Sequence, residues 1–217
     1  MYVIIHYSSG EVLLTCNSDT KEAVEMCFAV SYYTRIRLVC NLLPLLHQSE
    51  RPWVLSVLNG GREKALYDLD IGLVEEWSAL SVINHTTTMT SVSFERLAAS
   101  EPKVTLMHVY PGLVRTDIFN RLTQPDSSRI IWRIALAAIR GIVGVLMLLI
   151  GTSAEDCGER QAFHLTSDKF GQGAWRINDS SEEVTTPGVM EKYRSGTWPE
   201  RIWDHTMRTF DKALSCE

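Results

Sequence analysis

The stretch Val104-Thr105-Leu106-Met107-His108-Val109-Tyr110-Pro111-Gly112-Leu113-Val114-Arg115-Thr116 decides how this chain folds. Its first part is a short apolar run bounded by a turn signal, which reads as a strand buried on both faces. Pro111 cannot donate to a sheet ladder and Gly112 tolerates a tight turn, so the chain leaves the sheet there. Two earlier stretches read the same way. Trp53 to Leu58 is a buried strand stopped by Asn59-Gly60-Gly61, and Met1 to His6 is an apolar, β-branched run followed by Ser8-Ser9-Gly10. Between these strands, Asp19-Thr20-Lys21-Glu22 opens a helix that Pro44 and the polar 47–51 segment close. A second, long helix is expected from about Leu73 to Ala99, ended by Pro102. Further on, Ala154 to Arg160 reads as helix, Gln161 to Thr166 as a last strand, and the chain from Ser167 as peripheral structure with a helix near Trp198 to Ala213.

Strands joined by long helical crossovers imply a parallel sheet with helices on both faces, an α/β fold. In such sheets ligands bind beyond the carboxyl ends of the strands. That rule puts Ser8-Ser9-Gly10, Asn59-Gly60-Gly61 and the Pro111 to Thr116 turn on one rim, which is the candidate site.

Composition narrows the function classes. The 217 residues hold 21 Lys and Arg against 26 Asp and Glu, a net charge of −5 with no basic stripe, so nucleic acid is not an expected partner. Five cysteines lie far apart and form no CxxC or Cys/His cluster, which argues against a disulfide framework and a metal site. The Asn-x-Ser/Thr matches at Asn84 and Asn178 are short enough to arise by chance. Met1 runs into its apolar strand with no basic segment before it, so no signal peptide is read there and a cytoplasmic location is expected. The apolar stretch from Ile130 to Ile150 is interrupted by Arg133 and Arg140; its longest uncharged run, Gly141 to Ala154, is shorter than the roughly 20 residues that span a bilayer. It reads as a buried or substrate-covering helix, with interfacial membrane contact through 130–150 as the alternative.

The order of these elements, with Asn41-Leu42-Leu43-Pro44-Leu45-Leu46 ending the first helix and Val109-Tyr110-Pro111-Gly112-Leu113-Val114-Arg115-Thr116 following the third strand, resembles the short-chain dehydrogenase/reductase family. Cys157-Gly158-Glu159-Arg160-Gln161 resembles a divergent fungal branch of it. The resemblance covers roughly Met1 to Ser167. It implies a partial Rossmann-like, doubly wound sheet beginning near the family's fourth strand. The incomplete domain would occupy 1–166, and a C-terminal extension 167–217. It also implies NADP or NAD as cofactor, with Pro111, Gly112 and Thr116 on the nicotinamide side. Family members hold the pyrophosphate at a glycine-rich turn between their first strand and helix. No such turn occurs in this sequence, and three strand–helix units, roughly 75 to 90 residues, would precede Met1 in a family member. Binding of the cofactor by this chain alone is therefore not expected, and the first strand would expose an unpaired edge.

The family's catalytic positions are altered as well. By the resemblance, the tyrosine of its Tyr-x-x-x-Lys pair falls on Ile83, the lysine on Thr87, the strand-end serine on Asn59 and the helix asparagine on Ser31. Two residues are candidates to take over: Asn59 to hold a substrate oxygen, and His85, beside Asn84, to shuttle a proton near its ordinary pKa of about 6.5. A lone histidine on an apolar, Thr-rich helix is more often simply hydrogen-bonded. Tyr67, with Lys64 nearby, is a further candidate acid, although residues so far from a strand end are usually surface. Glu159 and Arg160 read as a helix-end charge pair, and Met89 as core.

Three functions stay open at this stage. The first is an oxidoreductase of secondary metabolism acting on the carbonyl or alcohol of a small apolar molecule. The second is a non-redox isomerase or cyclase on the same scaffold. The third is an inactive subunit whose free sheet edge pairs with another chain, giving a homo- or hetero-oligomer.

Overall fold

A computed structural model describes residues 2–5 (backbone), 18–115, 141, 144, 151–185 and 187–215. Four strands, β1 (Tyr2–Ile5), β2 (Trp53–Val57), β3 (Thr105–Val109) and β4 (Gly173–Ile177), form one parallel sheet in the order β1-β2-β3-β4. Tyr2 pairs with Trp53, Trp53 with Thr105, and Thr105 with Gly173, so the strands start level and end on a common rim. This is the α/β sheet that the buried apolar runs imply.

Helices lie on both faces. The first, α1, is built from Met26–Phe28, a π-helical segment Ala29–Tyr33, and Thr34–Leu46. With α2 (Ala79–Ser100), α4 (Met190–Arg194) and α5 (Trp198–Leu214), it encloses the larger core over Val54, Val104 and Leu106. The opposite face carries Leu55, Met107, Val109 and Ile177, covered from the side of α3 (Ala154–Thr166) by Leu165 and by Phe170. Among the described residues no helix is long and apolar enough to cross a membrane.

Three expectations are corrected. The first helix starts at Met26 and not at Asp19, because the Glu25 carboxylate caps the N–H groups of Cys27 and Phe28 at 3.1 and 2.7 Å. The long helix starts at Ala79 and not near Leu73: Ser78 accepts from the Ser81 N–H at 3.0 Å, while the Asp70 carboxylate ties up the N–H groups of Val74, Glu75 and Glu76 in a loop, with Leu73 at φ +54. Gln161 to Thr166 is the end of α3, and the last strand is Gly173–Ile177. Residues beyond 166 thus supply β4, and Met190, Tyr193, Ile202 and Phe210 from this part complete the larger core. The proposed cover at 130–150 and the Trp132, Arg133 and Arg140 face lie outside the described residues, apart from Gly141 and Gly144.

α2 is unusual in burying Thr86, Thr87, Thr88, Thr90, Ser91 and Ser93. Each of several hydroxyls finds a carbonyl: Thr86 donates to Val82 O, Thr87 to Ile83 O and Thr90 to Thr86 O, at 2.7 to 2.8 Å, and Thr88 to Lys64 O at 2.6 Å. Satisfied in this way, small polar side chains pack at little penalty. Tyr32 locks three helices at their centre. Thr206 donates to Ile202 O, so it accepts from the Tyr32 hydroxyl at 2.7 Å, which leaves Tyr32 to accept from Ser93 at 2.8 Å. Burial pushes the Tyr32 hydroxyl far above its ordinary range, so it stays a neutral donor. Tyr32→Phe is expected to cost about 1–3 kcal/mol, the range for a buried donor or acceptor left without its partner, read as a lower denaturation midpoint with an unchanged slope.

Candidate active site

A cleft of about 640 Å³ opens at the carboxyl ends of β2 and β3, lined by Asn59, Arg62, Ile83, Asn84, Thr87 and Tyr110 together with Gly60, Gly61, Glu63, Lys64, Asn178, Asp179 and Val184. β2 ends at Val57 and delivers half-buried Asn59 to the rim. β3 ends at Val109 and delivers Tyr110, whose N–H donates to Ile177 O at 2.8 Å. Gly60 is required where the two strand ends meet: a Cβ there would lie 1.8 Å from the His108 carbonyl oxygen. The Arg62 guanidinium sits 3.9 Å above the centre of the Tyr110 ring.

Behind the cleft wall runs a buried polar network. Ser56, His108 and Arg176 are register partners on neighbouring strands and so share one sheet face. The Asn59 N–H donates to His108 Nε2 at 3.3 Å, which puts the imidazole proton on Nδ1. Nδ1–H then donates to Ser91 Oγ at 2.8 Å, and the Ser91 hydroxyl donates to Glu63 Oε1 at 2.6 Å. The Gly61 N–H at 3.0 Å and Arg176 Nη1 at 3.2 Å complete the carboxylate. Burial pushes His108 down to about 4, so it is neutral at pH 7. Burial alone would raise Glu63, but the electrostatics of His108, the Ser91 hydroxyl and backbone N–H groups outweigh it and hold the carboxyl below its ordinary value.

The structure brings some of the sequence candidates together and separates others. Asn59, Ile83 and Thr87, the positions assigned to the family's serine, tyrosine and lysine, face one cleft. His85 does not belong to it, and its catalytic assignment is withdrawn: it is fully buried on another face of α2, where Nε2 accepts from the Tyr67 N–H at 2.9 Å and Nδ1 donates to Ile71 O at 3.2 Å. Both nitrogens hold the 67–71 loop, and burial lowers the imidazole pKa further. Tyr67 packs on that ring, 5.4 Å between centroids, away from the cleft. Ser31 is buried in the π-helical segment. Pro111 is half-buried beside Tyr110, and Gly112 takes φ +82 with Asp179 Cβ 3.1 Å from where its own Cβ would be. Thr116 lies outside the described residues. Sequence reading missed Tyr110, Arg62 and the Glu63–Ser91–His108–Arg176 network. The available signal was a polar residue at matching places in buried strands, Ser56 and His108. Among the described residues no group of three His, Cys, Asp or Glu could hold a metal ion.

This network makes the fold acid-sensitive in a defined window. An unfolded histidine binds a proton below about 6.5, whereas folded His108 refuses it until about 4, so stability falls as pH drops from 6.5 to 4. The expected loss from His108 is on the order of 3 kcal/mol, and His164, also lowered to about 4 by burial, acts in the same direction. Below pH 4.5 Glu63 adds to it, since the unfolded carboxyl takes up a proton first. Unfolding free energies measured across this range should decline steeply, and His108→Gln should flatten the decline; a profile that is level in the native protein refutes the assignment.

No family model matches the chain. A solved short-chain dehydrogenase from Streptomyces avermitilis aligns over 95% of this chain and 67% of its own, with a TM-score of 0.43 and 14% identity. Among curated proteins, Oxidoreductase AN1596 of Emericella nidulans is 31% identical over 232 residues, 94% of this chain and 67% of that protein. Short-chain dehydrogenase/reductase SAT2 of Stachybotrys chartarum is 29% identical over 239 residues, 96% of this chain and 64% of that protein. The chain spans about two thirds of the length of the curated relatives it matches. With these relatives the chain belongs to the short-chain dehydrogenase/reductase family, in a divergent fungal branch of it.

Proposed function

We propose that the protein is an oxidoreductase of fungal secondary metabolism that acts on the carbonyl or alcohol of an apolar small molecule, in the cleft between Asn59, Asn84 and Tyr110. One observation carries this reading: three positions that resemble the family's reaction centre, Asn59, Ile83 and Thr87, converge on one cleft at the carboxyl ends of the strands. The names of its fungal relatives, oxidoreductases among them, support the reaction class. In the proposed site Asn59 and Asn84 offer amide N–H donors to the substrate oxygen, and the Tyr110 phenol, not a residue of α2, supplies or takes the proton. A cytoplasmic setting belongs to the same proposal.

The family works with NAD or NADP, and the described residues do not fit the pyrophosphate of either. Each glycine at the rim answers to contacts within the chain: Gly60 to the His108 carbonyl, Gly61 at φ +83 to Val184, and Gly112 to Asp179, whose carboxylate repels phosphate. No step is therefore routed through the nicotinamide. The 217-residue chain is expected to bind NADPH or NADH with a dissociation constant weaker than about 100 μM in calorimetry. A low-micromolar value overturns that expectation.

The replacement of Tyr and Lys by Ile83 and Thr87 favours a second reading, a non-redox isomerase or cyclase in the same cleft. Deleting the gene in its host and comparing accumulated precursor with lost product separates the two. A difference of two hydrogens supports the oxidoreductase, and equal masses support the isomerase or cyclase. Complementation with Tyr110→Phe or Asn59→Ala should restore product formation at least about tenfold less well than the native gene, the scale of a lost general acid or oxygen donor.

A further inference from the structure

Residues 62–64 read Arg-Glu-Lys, and the fold sorts their charges to opposite sides. The Glu63 side chain is 3% exposed and turns inward, where Gly61 N–H, Ser91 and Arg176 take up both carboxylate oxygens. Arg62 and Lys64 are exposed and line the cleft. Nothing acidic neutralises them: among the described residues, neither side chain lies within ion-pair distance of a carboxylate. Arg62 is nevertheless held, because its guanidinium rests over the Tyr110 ring at 3.9 Å, a contact that uses the face of the cation and none of its N–H donors. Among the described lining residues the other acidic side chain besides Glu63 is Asp179, which lies beside Gly112 at the other strand end. The cleft is therefore polarised, with two cations on the β2 loop and a carboxylate on the β4 side.

We infer that the substrate carries a carboxylate, bound by Arg62 and Lys64, with its apolar body along Ile83 and its reacting oxygen toward Asn59 and Asn84. This rests on the cleft being the substrate site. A guanidinium with free donors and a neighbouring ammonium suit a planar anion, and Asp179 disfavours a second anionic group at the far end. An anion of the same charge could come from a nucleotide phosphate, and the test separates the two.

The probes are 2-naphthoate and its neutral isostere 2-naphthamide, titrated into the whole chain by NMR, with the Asn59 and Asn84 side-chain amides reporting binding in the cleft. The native protein should prefer the acid by about tenfold, and the preference should weaken as salt is raised. The double variant Arg62→Gln/Lys64→Gln should bind both probes alike, and Arg62→Lys should keep part of the preference. Equal binding of acid and amide by the native protein overturns the carboxylate inference and leaves the cleft as the substrate site. Failure of both probes to perturb the cleft amides overturns the inference together with the functional reading beneath it. If adenosine 2′,5′-bisphosphate binds at the cleft amides and displaces the naphthoate, the two cations serve a nucleotide, which also overturns the inference.

Discussion

Ser56, His108 and Arg176 stand side by side on three neighbouring strands, and the satisfaction of that polar row governs the shape of the cleft. A polar row inside a sheet is costly unless every group is paired. Here the pairing partners come from three directions. Arg35 of α1 donates to Ser56 Oγ at 3.0 Å and to Val57 O at 3.1 Å; Ser91 of α2 takes His108; and Glu63 of the strand-end loop takes Arg176. The loop that forms the cleft wall is thus a structural partner of the sheet, with little freedom of its own. Removing one member of the buried Glu63–Arg176 pair strands the other charge, a loss of about 3–5 kcal/mol in comparable pairs, so the loop and the core stand or fall together.

α2 shows how a wall can keep its place while its chemistry changes. Ile83 and Thr87 lie one turn apart and both face the cleft. The Thr87 hydroxyl has its proton committed to Ile83 O at 2.7 Å, so this turn of helix presents no free acid. The polar groups that remain available in the cleft sit on the loops: Asn59, Arg62 and Lys64 after β2 and Tyr110 after β3, whereas the Asn178 side-chain oxygen after β4 already accepts from the Ser180 and Glu182 N–H groups. Besides Thr87, the helix contributes one further uncharged polar side chain to the described lining residues, Asn84.

The parts of this fold that follow from local pattern were legible in the sequence. Uninterrupted apolar runs at Tyr2–Ile5, Trp53–Val57 and Thr105–Val109 are strands, and Pro-Gly and Asn-Gly-Gly end two of them at the rim. Where tertiary contact decides, pattern misled. Gln161 to Thr166 has the apolar character of a strand end, yet it completes α3, whose N-terminus is set by Ser153 accepting from Asp156 N–H at 2.9 Å. β4 reads Gly-Ala-Trp-Arg-Ile, a weak strand signal that becomes a strand because β3 offers it an edge and Glu63 offers Arg176 a partner. His85 illustrates the limit at the site. Its neighbours in sequence place it one residue from cleft-lining Asn84, but a helix turns by about 100° per residue, and that rotation carries the imidazole into the 67–71 loop.

The same rotation explains why the loops and not α2 are the natural place for chemistry here. A side chain on a helix is aimed by the helix axis, and α2 is fixed by Tyr32, Ser93 and the buried hydroxyls along its length. Residues just beyond a strand end are aimed by backbone hydrogen bonds to the neighbouring strand instead. Leu58 N–H donates to Val109 O and Tyr110 N–H to Ile177 O, each at 2.8 Å, so the first two loops are tied to the next strand in order, while Val184 N–H folds the third loop back on Arg176 O of its own strand at 2.8 Å. Arg62 adds a side-chain tie across the first of these joints through the Tyr110 ring. A phenol, a guanidinium and an amide held in this way share one rigid frame, and that frame can orient a substrate oxygen without any help from the residues at 83 and 87.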